Sequence, residues 1–146
     1  EIPCQITKIE ARNLQPLEEK YLETVPGKTE WNHIYTIFLG SGIAANKTAC
    51  TRLLKEWDNE WQKSPNVLLA LCPENPKELY KIKNIPAGAA GQEINLLAEQ
   101  NKEKYSGQIC ETPIDYLRAK QQKEDKITLY RVTIENGNLK IMTDEL

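Results

Sequence analysis

The chain has 146 residues, of which 40% are apolar and 27% charged, and this composition is close to the globular average. A chain near this length can bury a substantial core. Its composition excludes the disordered, collagen-like and mucin-like classes. The 19 basic and 21 acidic residues nearly balance and arginine is scarce, which argues against nucleic acid as a partner. No apolar run approaches the roughly 20 residues of a membrane span, so a membrane-embedded chain is also excluded.

The first half of the chain has the pattern of a βαβ unit. After a weak strand signal at residues 4–9 and a short helix signal at 16–21, residues 34–39 are apolar on both faces, which is typical of a central strand. An apolar stripe at helical spacing predicts a long helix over 43–62, and residues 67–71 predict a second buried strand. Two such strands joined by a helix are expected to be parallel neighbours.

The second half begins with weaker elements. Alternation at residues 79–83 predicts an edge strand with one solvated face, and residues 92–105 have helical periodicity. Thr112, followed by Pro113 and Asp115, is typical of a capped helix start, so a further helix is expected from there to about residue 123.

The strongest local signal is Asn136-Gly137, which predicts a type I′ turn between strands at 127–134 and 139–143. The elements together predict one α/β or α+β domain over residues 1–146. Its mixed sheet is expected to have a central parallel βαβ unit and an antiparallel C-terminal hairpin, with helices packed on the sheet.

The turn after the first clear strand is the candidate ligand-binding site. Gly40-Ser41-Gly42 opens a helix, where free N–H groups and the helix dipole suit an anion, and Lys47 and Thr48 follow within two turns. The segment resembles a phosphate-binding loop only loosely, because it lacks the first glycine and the glycine before the lysine. Two interpretations stay open: a site for a small anion such as phosphate or a nucleotide, and a tight turn that uses glycine for backbone freedom.

The sequence offers little for catalysis. His33, the one histidine, precedes the strand that Ser41 follows, so the two are roughly 25 Å apart at about 3.3 Å per residue. A catalytic pair needs hydrogen-bond distance. Asp115 and Glu124-Asp125-Lys126 mimic the acids of a metal-dependent nuclease, but Asp115 is placed at a helix start and not on a strand. We therefore predict no catalytic residue, no metal ligand and no cofactor, and lean against an enzyme.

Two aromatic residues are candidates for contact with a partner protein. Trp31 lies in a polar loop outside any periodic segment, and Tyr80 lies on the predicted edge strand. Aromatic side chains are enriched at protein interfaces. For Trp31 the alternative, a ring pinned under its own loop, stays open.

The cysteines bear on the compartment. Cys4, Cys50, Cys72 and Cys110 could form two disulfides, but a domain of this size needs none, so four reduced and mostly buried thiols are expected. The first residue is not methionine, which indicates a processed or trimmed N-terminus. A cytoplasmic location is slightly favoured over secretion.

These observations do not identify a function by themselves. The leading hypothesis is a non-enzymatic protein-binding or regulatory module, on the grounds of Trp31, the lysine-bearing edge strand and the lack of a workable catalytic set. The alternative is a small-molecule binding domain or small enzyme that uses the turn at residues 40–42. A third interpretation, a secreted inhibitor or immunity-type domain, depends on disulfides.

Overall fold

The computed structural model describes residues 19–20, 23, 34–60, 67–72, 75, 78–79, 82, 90–104 and 109–146. Within these ranges the strands form one sheet, whose members are β1 (Thr36–Leu39), β2 (Leu68–Leu71), β3 (Thr128–Glu135) and β4 (Asn138–Glu145). The helices that position the site are α1 (Ser41–Ala45), α2 (Lys47–Glu60), α3 (Ala90–Gln100) and α4 (Pro113–Gln121).

The sheet is mixed and confirms the predicted fold class. The order is β1-β2-β3-β4; β1 and β2 are parallel, β2 and β3 are parallel, and β3 and β4 are antiparallel. Among the described strands β1 lies at an edge of the sheet, with β2 as its neighbour. Burial follows this placement: all residues of β2 are buried, whereas in β1 only Leu39 is.

The C-terminal hairpin is as predicted. Asn136 and Gly137 have φ angles of 55° and 79°, which is the positive region that a type I′ turn requires at both positions. The turn sets the register in which Ile134 pairs with Leu139. The side chains of this pair pack against a buried cluster on one face of the sheet.

The predicted long helix over 43–62 is interrupted at Asn46. The N–H of Asn46 donates to the Ile43 carbonyl at 3.2 Å, which ends α1, and its Oδ1 accepts from the Ala49 N–H at 3.1 Å, which starts α2. An asparagine side chain competes well for backbone N–H groups, so it favours a helix boundary over a helix interior.

Other predictions differ in smaller ways. The predicted strand at 79–83 is wrong where it is described, because Glu78 and Leu79 form a 3₁₀ turn and Ile82 is not in a strand. Helix α3 begins at Ala90 and ends at Gln100, earlier at both ends than expected. The strand predicted at 4–9 lies outside the described residues, and of the helix predicted at 16–21 only positions 19 and 20 are described, both helical.

Helices cover both faces of the sheet. On one face α1, α2 and α4 contribute buried side chains such as Cys50 and Tyr116 to a core with Leu69 and Leu129. On the opposite face the described part of the chain contributes α3, with Ile94 fully buried. Burial of apolar surface at about 25 cal/mol per Å² on both faces holds these layers together.

Candidate functional site

The turn after β1 does not depend on glycine. Gly40 has extended backbone angles (φ −71°, ψ 163°), and its carbonyl accepts from the Ala44 N–H at 3.0 Å. A Cβ atom at Gly40 or Gly42 would meet no described atom within 4 Å, and neither residue has a positive φ. Backbone freedom is therefore not the reason for these two glycines, and the space above them is open.

Lys47 and Thr48 belong to a second helix. In a phosphate-binding loop the residues before the lysine wrap the phosphate with their N–H groups. Here those residues form α1, and Asn46 then caps α2. The loose resemblance to a phosphate-binding loop therefore does not extend to the backbone arrangement.

A pocket of about 340 Å³ lies beside α1 and brings Ser41 and Lys47 together with Arg131 and Asp144. Arg131 Nη1 donates to Asp144 Oδ2 at 3.0 Å, while Arg131 Nε is buried without a hydrogen-bond partner in the described part of the chain. We call this cavity the α1 pocket. Of the predicted ligand residues, only Ser41 and Lys47 line it; Gly40, Gly42 and Thr48 do not.

Sequence reasoning missed Arg131, although a signal existed. Successive residues of a strand point to opposite faces, so Arg131 lies on the same face of β3 as Leu129, which is fully buried. A charged residue at an inward position of a strand is costly unless it is paired. The interruption of the apolar pattern at Arg131 is therefore the signal in the sequence for a charged side chain that lines a pocket.

A second concave surface lies between α2 and α4. Its volume is about 540 Å³, and it contains four cationic side chains and one acidic side chain. We call it the cationic groove, and its lining residues are Lys47, Thr48, Thr51, Arg52, Lys55, Glu56 and Lys120. Lys47 is shared with the α1 pocket, whereas Thr48 lines only the groove.

The nuclease-like acids meet in space, but Asp115 is engaged in helix capping. Asp115, Glu124 and Lys126 line one cleft of about 740 Å³. The Asp115 carboxylate accepts from the N–H groups of Glu111 and Thr112, both at 3.2 Å, and forms the capping box that the sequence predicts. Among the residues described, no three histidine, cysteine or acidic side chains are grouped to hold a metal ion.

The described cysteines are buried thiols. Cys50, Cys72 and Cys110 are buried, as expected, and Cys4 lies outside the described residues. Burial raises the pKa of Cys110 to about 11, and the nearby carboxylates of Asp115 and Glu124 act in the same direction. Burial also raises the pKa of Cys50. Nucleophilic cysteines need a lowered pKa, so these two thiols have structural roles.

The candidate partner residues Trp31 and Tyr80 lie outside the described residues. The large apolar side chains exposed in the described ranges are instead Tyr35, Leu96 and Ile114, at 50%, 48% and 40%. Within those same ranges, every helix is too short or too polar to cross a membrane.

Comparison with known proteins identifies the family. Searches of curated proteins and of solved structures return no significant match. Residues 1–134 match the family model described as Spore germination protein N-terminal domain. The match extends over α1 to α4, β1, β2 and nearly all of β3, and β4 lies beyond it. Because more than nine-tenths of the chain is matched, this protein belongs to the family of spore germination protein N-terminal domains.

Proposed function

We propose that this domain is a non-enzymatic protein-binding module of a spore germination receptor. The observation that carries the proposal is the family match over residues 1–134. Germination proteins of this type function in receptor complexes with other proteins. In such a complex, the domain would supply a surface that binds another subunit and would catalyse no reaction.

The roles of the reactive side chains support this proposal. The Asp115 carboxylate holds the start of α4, and the thiols of Cys50 and Cys110 are packed in the core. Groups of these kinds would otherwise be the acids and nucleophiles of a small enzyme. Here each contributes to the stability of the scaffold that presents the binding surface.

The test uses the receptor in spores. Removing residues 1–146 in frame from the germination protein should lower the amounts of the other receptor subunits in the spore membrane fraction, measured by quantitative immunoblot. It should also abolish the response to the germinant. A Gly42→Ala variant, which fills open space, is the matched control and should behave as wild type. Normal subunit levels and a normal response after the deletion would contradict the proposal.

A second candidate function is the binding of a small anion in the α1 pocket. Lys47 and Arg131 supply positive charge there, and the buried Arg131 Nε has no partner among the described residues. The Ser41 hydroxyl lines the pocket as a neutral donor, whereas Gly40, Gly42 and Thr48 lie outside its lining. Because Asp144 and Glu145 also line the pocket and oppose anions, binding is expected to be weak.

Titration with inorganic phosphate, followed by amide shifts in NMR spectra, tests this second function. Shifts are expected at residues 40–42, and Lys47→Glu should weaken them while leaving the melting temperature unchanged, since Lys47 is exposed. Arg131→Met removes a cation from the α1 pocket alone and should act in the same direction. Unshifted amides at residues 40–42 in the parent protein would eliminate this function.

A further inference from the structure

The cationic groove is built on a fixed frame. Tyr116 of α4 is fully buried, and its hydroxyl lies 3.4 Å from Thr51 Oγ1 of α2, so the two helices are joined at the base of the groove. Thr51 Oγ1 also donates to the Lys47 carbonyl at 2.8 Å. The walls of the groove are therefore held by core packing, and its shape exists before any ligand arrives.

The charge of the groove is opposite to the charge of the chain. Among the described lining residues, four cations against the acid Glu56 give a net charge of +3, whereas the whole chain has −2. Lys47, Arg52 and Lys55 are exposed, and Lys120 reaches the groove from α4 with its Nζ 5.9 Å from the centre of the Tyr116 ring. That cation–π contact positions the ammonium group at the groove wall.

The cations of α2 repel one another. Arg52 and Lys55 are three residues apart on one face, and like charges at this spacing destabilise a helix. Lys47 and Lys55 mark a row about 12 Å long on the same helix, at 1.5 Å of rise per residue. An anionic partner along this row would relieve the repulsion.

The shape and composition of the groove select a peptide over a lipid surface. Helices that bind membranes combine cations with large apolar side chains that enter the bilayer. The described lining residues of the groove include no large apolar side chain. Tyr35, Leu96 and Ile114, the exposed large apolar residues in the described ranges, are not among them. An extended peptide with an acid at every second residue repeats its carboxylates at about 7 Å, so three successive carboxylates span about 14 Å, which is enough to follow the row of about 12 Å on α2.

We propose that the cationic groove binds an acidic segment of a partner protein, whose carboxylates pair with Arg52, Lys55 and Lys120. This inference rests on the proposed function and deepens it, because it names the surface and the chemistry of the partner. The Arg52 guanidinium can donate two parallel hydrogen bonds to one carboxylate, and Lys55 and Lys120 supply point charges on opposite walls.

The direct test titrates the 146-residue chain with an alternating Glu-Gly peptide and, separately, with phosphatidylglycerol vesicles. The peptide should shift amides at residues 47–56 and 116–121. The triple variant Arg52→Gln, Lys55→Gln and Lys120→Gln should lose about tenfold or more in affinity, since each surface pair contributes a fraction of the binding energy. The matched control, Lys102→Gln, Lys104→Gln and Lys126→Gln, has the same charge change away from the groove and should bind as wild type.

A second readout separates binding from folding. The repulsion relieved on α2 opposes the loss of the Lys120 cation–π contact, so the groove triple variant should melt near the wild-type temperature, and a loss of binding then cannot be attributed to unfolding. The inference would be overturned if the peptide did not bind, or if the control variant weakened binding as much as the groove variant. It would also be overturned if the domain bound the vesicles more strongly than the peptide and the groove variant lost that vesicle binding.

Receptor assembly in spores tests the proposed function separately from the groove. A groove triple variant that assembles with the receptor as wild type, although the deletion of residues 1–146 disrupts it, refutes the groove and leaves the protein-binding function intact. If the deletion has no effect, the proposed function fails whatever the peptide does. Loss of assembly in the groove variant alone, with the control unaffected, supports both.

Discussion

Two turns of the sheet contain glycine, and the residue serves different purposes in them. At Gly137 the backbone has φ of 79°, a conformation that a side chain resists, so the turn itself requires glycine. Gly40 and Gly42 have neither a positive φ nor a neighbour that would exclude a Cβ. Glycine in a turn therefore indicates a backbone requirement only where its φ angle is positive. At Gly40 and Gly42, where it is not, the lack of a side chain leaves the surface open.

Replacement of Gly137 by valine should cause the largest effect. A β-branched residue resists positive φ, so the free energy of unfolding should fall by about 1 to 3 kcal/mol. Gly40→Val is the matched control: Gly40 is extended and faces open space, so only the replacement of glycine as the N-cap of α1 counts, and the loss should be smaller. Urea unfolding at neutral pH measures both; equal midpoints for the two variants would remove the distinction between the turns.

High pH should lower the free energy of unfolding through Cys110, which lies beside the hairpin. Its N–H donates to the Thr128 carbonyl of β3 at 2.9 Å. The folded pKa of Cys110 is raised from 9.0 to about 11, so the fold holds a proton that the unfolded chain releases. Its stabilisation is complete below pH 9.0 and is lost as the pH rises towards about 11, by about 1 to 2 kcal/mol.

The serine variant Cys110→Ser isolates this contribution, since serine does not ionise in that range. Unfolding midpoints at pH 7, 9 and 11 should converge for wild type and variant as the pH rises. Curves that stay parallel would show that the thiol has no such role.

The capping box at α4 is a second locally encoded feature, comparable with the hairpin turn. Thr112 Oγ1 accepts from the Asp115 N–H at 3.2 Å, and Thr112→Ala should lower stability by about 1 kcal/mol. Thr112→Ser keeps the oxygen and should restore most of the loss. If both variants melt together, the hydroxyl does not cap α4.

The smallest expected effect has the opposite sign. Gly42 lies within α1, where alanine is favoured over glycine by up to about 1 kcal/mol, so Gly42→Ala should raise the melting temperature slightly. Gly137→Ala should lower it, because alanine also resists a positive φ. Opposite changes in melting temperature for these two glycine-to-alanine substitutions would support the difference between the turns. Changes in the same direction would contradict it.

Much of the fold follows from patterns that act over a few residues. The hairpin turn at Asn136-Gly137, the capping box at Thr112 and the apolar run of β2 each combine a local conformational preference with a periodic apolar face. Such features are read from neighbouring residues alone. Prediction from neighbouring residues fails at Asn46, because its side chain caps α2 and so ends the helix that the apolar stripe predicts to continue.

The candidate surfaces depended on contacts between distant parts of the chain. Lys120 joins Lys47 and Arg52 in the groove only because α4 packs against α2, and Arg131 reaches the α1 pocket only because β3 pairs with β2. No local spacing encodes either meeting. The sequence therefore predicted individual residues such as Ser41 and Lys47, but the grouping of charges required the tertiary structure.

The spatial order of the described strands repeats their order in the chain. A nascent polypeptide that emerges from the ribosome can therefore add each strand to the side of the one before it. None of the described strands has to be inserted between two partners that have already paired, and each edge is covered as the next strand arrives. For β1, β2, β3 and β4, vectorial synthesis and sheet assembly run in the same direction.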